Sequence, residues 1–171
     1  MRRRVAVLLS VLACLMLTPA MHAAASPPTR EDQPLPPTIR LRSVCPDIRV
    51  IVADILANTE VATTWFDANG DPVRTIVTGR LVVRLTNPDS GVSIVRNISG
   101  PGETVFHADG STTLTATGSW FNFYAPGQLG AGSAPTSFLT HGRLVIDTDA
   151  NGVSTIVSRT GTLEDVCATL A

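Results

Sequence analysis

The sequence predicts an all-β protein: a single small antiparallel up-and-down β-barrel of about eight or nine strands, with a β-sandwich as the alternative. Three observations carry this reading. Short runs rich in Val, Ile and Thr recur at roughly ten-residue spacing. Turn signals such as Asp67-Ala68-Asn69-Gly70, Asn87-Pro88-Asp89-Ser90-Gly91 and Ala108-Asp109-Gly110-Ser111 separate them. No run carries the spacing of an amphipathic helix, apart from a short helical turn expected at the C-terminus. A barrel ranks first because closure leaves no sheet edge exposed.

The N-terminal residues 1–25 read as a secretory signal peptide. Arg2, Arg3 and Arg4 form its basic start, Val5 to Leu17 its apolar run, and Ala23-Ala24-Ala25 its cleavage site. Val11-Leu12-Ala13-Cys14 resembles a lipoprotein box, but Leu12 stands where a small residue is needed, so cleavage after Ala25 is expected. Nothing later in the chain is apolar and long enough to span a bilayer. Export removes three of thirteen basic residues, leaving ten against fourteen acidic ones, a net charge of −4. Every basic residue is Arg. Mild acidity argues against nucleic acid as a partner. Two cysteines remain, Cys45 and Cys167, and in an exported chain such a pair is expected to form a disulfide. Closing so long a loop contributes about 4–5 kcal/mol in the chain-entropy description.

Residues 26–44 hold five prolines among polar residues and read as an extended, disordered leader, with the barrel domain over 45–171. Ile48 to Leu56 is read as a strand, followed by Val61–Phe66 and Val73–Val77 around the 67–72 turn. Arg80 to Asn87 alternates, with Leu81, Val83 and Leu85 on one face. Val92 to Ser99 returns with Val92, Ile94 and Ile98 on one face, and Gly100-Pro101-Gly102 breaks the chain before a short strand over 103–108. Thr112 to Tyr124 is then a strand of roughly 40 Å, at about 3.3 Å per residue. Its alternation would place Phe121 and Phe123 on the threonine face, so a bulge or sharp bend near Gly118 is expected to switch the parity and turn both inward. Trp120 and Tyr124 would then occupy the opposite face. A loose Gly/Ala/Pro loop over 125–135 leads into a bent strand over 136–147. A closing strand over 153–160 and a helical turn over 164–170 end the chain.

Few residues suggest chemistry. Asp147, Asp149 and Asn151 match the first half of a calcium loop, D-x-D-x-N-G, but Ser158 stands where its closing glutamate belongs. Asp67, Asn69 and Asp71 echo it more weakly. Both segments join strands, where Asp, Asn and Gly are simply good turn residues. His107 and His141 lie at strand shoulders, in no metal spacing and beside no nucleophile motif. No catalytic residue and no cofactor motif is read from the chain. Arg96 shares the face of Val92, Ile94 and Ile98, so it either lines a polar cavity or reaches solvent from a strand end.

An export signal, a cysteine just before the first strand, a hairpin body and the ending Gly161-Thr162-Leu163-Glu164-Asp165-Val166-Cys167 resemble a group of secreted actinobacterial proteins of unknown function. The resemblance spans residues 45–168, implies secretion and the Cys45–Cys167 pairing, and carries no activity. More remotely, a secreted barrel of this size is similar to the dirigent and allene-oxide-cyclase barrels at the level of fold alone. The function expected is a secreted, non-enzymatic β-barrel that binds a small apolar ligand or a partner surface. Arg96, Trp120, Phe121, Phe123 and Phe138 would form its pocket, and the 125–135 loop a mobile rim. A cyclase- or isomerase-type enzyme using Arg96 with His107 or His141, and a structural cell-surface module, are the alternatives.

Overall fold

A computed structural model describes residues 27–171; the signal peptide expected over 1–25, with Cys14, lies outside the described residues. The chain is all-β, with eleven strands in two antiparallel sheets and one short terminal helix. In chain order the strands are β1 (Thr29–Asp32), β2 (Thr38–Arg42), β3 (Val50–Asn58), β4 (Val61–Phe66), β5 (Pro72–Thr78), β6 (Leu81–Thr86), β7 (Ser93–Asn97), β8 (Gly102–Phe106), β9 (Thr112–Tyr124), β10 (Thr136–Thr148) and β11 (Ser154–Asp165). Helix α1 spans Val166–Leu170. The larger sheet runs β1-β4-β5-β8-β9-β10-β11, the smaller β2-β3-β6-β7.

These two orders describe one meander of bent segments. The pairs β1/β2, β3/β4, β5/β6 and β7/β8 each follow directly in sequence, yet each pair divides itself between the two sheets. Taken as units, these four segments and then β9, β10 and β11 lie in sequential antiparallel order. The expected up-and-down connectivity therefore holds for segments, while individual strands alternate between sheets. Neither strand order returns on itself, so no closed hydrogen-bonded barrel forms among the described residues.

The bends line up as a crease. Adjacent corners are tied by Gln33 N–H donating to Glu60 O (2.9 Å), Thr59 N–H to Arg80 O (2.8 Å) and Ile98 N–H to Leu81 O (2.9 Å). Beyond them, Gly118, Gly142 and Gly161 face one another in register across β9, β10 and β11, all with positive φ. Gly142 has φ +152°, and a Cβ there would stand 2.3 Å from Thr160 O. Glycine is required at that crossing because any side chain would meet the neighbouring backbone. The bend folds the β9–β10 hairpin back on itself: Gln128 O, just past Tyr124, accepts from Ser154 N (2.7 Å) beside the opposite end of the hairpin. Straight strands would hold those ends roughly 40 Å apart.

The bend at Gly118 comes without the expected parity switch. Pairing of β9 with β10 runs residue for residue from Thr112 to Tyr124. Leu114, Ala116, Trp120 and Tyr124, even positions on both sides of Gly118, join one apolar cluster with Phe138, Leu144, Ile146 and Leu129. A positive-φ glycine matched by another in each neighbour bends the ladder without adding a residue, so alternation continues through it.

The main core lies where both sheets meet, around Ile51, Leu85, Leu139, Val166 and Leu170, all fully buried. Its end is stapled by the Cys45–Cys167 disulfide, with Cα atoms 5.5 Å apart. Asp165 caps α1 by accepting from Ala168 N (3.0 Å), and buried Asn87 Nδ2 donates to Leu170 O (2.9 Å). Residues 26–44, expected as a disordered leader, instead carry β1 and β2, paired to β4 and β3. Pro34, Pro36 and Pro37 fall in the crossing between the sheets, where no ladder N–H is required of them.

Candidate functional site

On the inner side of the crease lies an apolar cleft of about 360 Å³, within the size range of small-molecule sites. It arises where the two sheets part company. β8 pairs with the first half of β9, from Thr112 to Ala116, whereas β7 belongs to the smaller sheet and leaves the second half of β9 unpaired on that side. The cleft opens onto the main core, with Ala53, Leu81, Val83 and Leu85 belonging to both.

Each wall has a sequence origin. Alternation in β6 turns Leu81, Val83 and Leu85 to one face, and Ala53 and Ile55 of β3 join them on the floor. Ile39 and Leu41 of β2 alternate with Thr38, Arg40 and Arg42 and close one side. Phe121 and Phe123 form the opposite side, their ring centroids 5.6 Å apart. Phe123 remains 46% exposed and Leu35 38% exposed, so these two stand at the mouth.

Trp120 occupies the angle of the crease and lines the cleft. Its indole lies flat against Gly100 and Gly102; a Cβ at Gly102 would come within 2.2 Å of the ring, and one at Gly100 within 2.7 Å. The Gly100-Pro101-Gly102 break is therefore a slot shaped for one indole. The buried Nε1–H of Trp120 has no hydrogen-bond partner among the described residues.

Gln33 and Glu60 are the two polar side chains in the lining. Asn58 positions both: its Nδ2 donates to Gln33 O (2.6 Å) and its Oδ1 accepts from Glu60 N (2.9 Å). Burial pushes the Glu60 carboxyl above its usual range. Among the described residues nothing donates to that carboxylate, and no Arg or His lines the cleft.

The other expected pocket residues lie elsewhere. Phe138 stacks on Tyr124 at 6.0 Å between centroids, in the second cluster. Arg96 reaches from β7 to β11 and grips Glu164, with Nη2 to Oε1 at 2.7 Å and Nε to Oε2 at 2.9 Å. That bond holds Glu164 below and Arg96 above their ordinary values. The 125–135 loop contributes nothing to the lining; Leu129 packs on the second cluster and Gln128 is bonded to Ser154. Glu60, Gln33 and Trp120's glycine slot are the features that sequence reasoning missed or saw only as a break.

Polar groups gather at two exposed places outside the cleft. His107 Nε2 lies 3.0 Å from Thr113 Oγ1, which donates to Asp147 Oδ1 at 2.7 Å. Asp149 Oδ1 accepts from the backbone of Asn151 and Val153, both at 2.9 Å, which lowers its carboxyl. Asp67 does the same with Asn69 and Asp71. Asp147 and Asp149 thus serve separate partners, and both D-x-N-G stretches act as turn-closing carboxylates. His141 Nδ1 lies 2.9 Å from Ser119 Oγ on the face that carries Glu164. Among the described residues no helix is long and apolar enough to cross a membrane. No family model, curated protein or solved structure matches the chain.

Proposed function

We propose that this is an exported, non-enzymatic binding domain whose crease cleft takes a small apolar ligand. The observation that carries the reading is the cleft itself: thirteen of its fifteen lining residues are apolar, across all four bent segments and β9. A filled structural module has no use for such a space, because an unfilled apolar cavity loses packing without return. An enzyme of the cyclase type would need convergent ionisable groups. Here Arg96, His107 and His141 lie outside the lining and Glu60 stands as its one ionisable side chain. In this reading seven bent segments wrap most of a barrel, left open between β7 and β9, with Arg96–Glu164 bridging the two sheets.

Binding of N-phenyl-1-naphthylamine, a largely apolar dye, tests the proposal. A saturable fluorescence rise is expected, weakened at least about tenfold by Leu35→Glu with Phe123→Glu, whose charges would stand in the mouth. No saturable rise, or equal affinity in the double variant, contradicts it. Export is tested separately by the N-terminus of protein recovered from culture supernatant, expected at Ser26.

A further inference from the structure

Resting on that reading of the cleft, the arrangement of its polar groups narrows the ligand further. We infer that the ligand carries one hydrogen-bond-donating polar end, a hydroxyl or an amine, placed against Glu60 and Gln33, on an otherwise apolar body. A carboxylate or phosphate end is disfavoured by the Glu60 carboxylate.

The two polar side chains of the lining belong to residues whose backbones are neighbours at one corner of the crease. Gln33 and Glu60 are joined by a backbone hydrogen bond of 2.9 Å and share Asn58 as their anchor. Among the other lining side chains the one polar atom is the buried Nε1–H of Trp120, a donor without a partner among the described residues. A molecule with one hydrogen-bond-donating end therefore has one orientation in which a side chain accepts from that end. An ionised Glu60 is an acceptor only, with no donor supplied to it by the described residues. A hydroxyl or amine answers that need directly. An anionic end would bring a second negative charge beside the first in apolar surroundings, with no arginine in the lining to neutralise either. The desolvation that raises the Glu60 carboxyl agrees with a group left waiting for a donor.

Decylamine, decanol and decanoate share one apolar chain and differ only at the end, so calorimetric titration of each into the disulfide-intact protein at neutral pH isolates the effect. Decylamine and decanol are expected to bind at least about tenfold tighter than decanoate. An amine about tenfold tighter than the alcohol identifies a cationic end; equal affinities identify a hydroxyl. In Glu60→Gln, which keeps the shape and removes the charge, decylamine should fall to the level of decanol and decanoate should gain about fivefold. Decanoate binding as tightly as the other two in the wild-type protein overturns the inference while leaving the cleft as a ligand site. An unchanged ranking in Glu60→Gln overturns it also. Failure of all three to bind overturns the cleft reading and this inference together.

Discussion

Glu60 combines a carboxylate, an apolar setting and no donor among the described residues, and the cost of that combination depends on pH. A carboxyl raised by burial folds without penalty while it is protonated in both states. Stability falls as pH rises from the unfolded value, about 4.3, through the raised folded value. Glu60→Gln should therefore be more stable than wild type near pH 7 and equal to it near about pH 3.5, measured by urea unfolding at both. A gain that persists at low pH would show that desolvation of charge is not its source. At Trp120 the constraint is steric. Gly102→Ala places a methyl within 2.2 Å of the ring, so the indole must leave its slot and enter the cleft. A loss of about 1–3 kcal/mol and a changed tryptophan emission are expected. Trp120 was read from the sequence as a pocket residue, whereas Glu60 and the glycine slot around the indole were not. Glu60 carried no signal of its own, and Gly100 and Gly102 read as an ordinary breaker, because their partners are distant in the chain.

The crease is a property of elements, and its glycines differ in what they tolerate. Gly142 has backbone 2.3 Å from a would-be Cβ, whereas Gly152 has a positive φ but nothing within 4 Å. Gly152→Ala should cost about 1–2 kcal/mol from its left-handed backbone alone. Gly142→Ala should cost more than that, about 3 kcal/mol or beyond, because the ladder to β11 must also open. Equal costs would contradict a crease held by close backbone approach. The Arg96–Glu164 bridge belongs to the same scale. Glu164 is held below its ordinary value, so the bridge stabilises above the unfolded pKa and is lost as pH falls through the folded one. Arg96→Ala should cost about 1 kcal/mol at neutral pH. A bend at Gly118 was read from the facing of Phe121 and Phe123, but the parity switch that reading required does not occur. Its neighbours were not legible, since Gly142 and Gly161 gain meaning only through register. The leader was misread for a plain reason: Thr38-Ile39-Arg40-Leu41-Arg42 alternates as a strand should, but the surrounding prolines masked it. A subtler signal lay at Thr59-Glu60, where two strands meet without any turn residue, as a bent segment requires and a hairpin does not.

At the scale of the whole molecule, composition and turn spacing were enough for the all-β class and for the Cys45–Cys167 staple. The division into two sheets was not readable, because it depends on which halves of each segment pair. The disulfide joins Cys45, three residues past the first bent segment, to the terminal helix, a separation of 122 residues. Replacing both cysteines by Ala should lower unfolding stability by about 4 kcal/mol, since the loop it closes is long. The cleft is the feature on which the proposed role rests: bending creates it, the parting of β7 from β9 opens it, and apolar side chains from the first four bent segments and β9 line it. The most direct test is a native mass spectrum of the mature, non-reduced protein purified from its own culture supernatant, followed by the same sample denatured. A mass excess that disappears on denaturation, and is absent from Leu35→Glu/Phe123→Glu prepared alongside, is the predicted result. The same excess in the double variant would contradict the account, as would a bare chain that also fails to take up the naphthylamine dye.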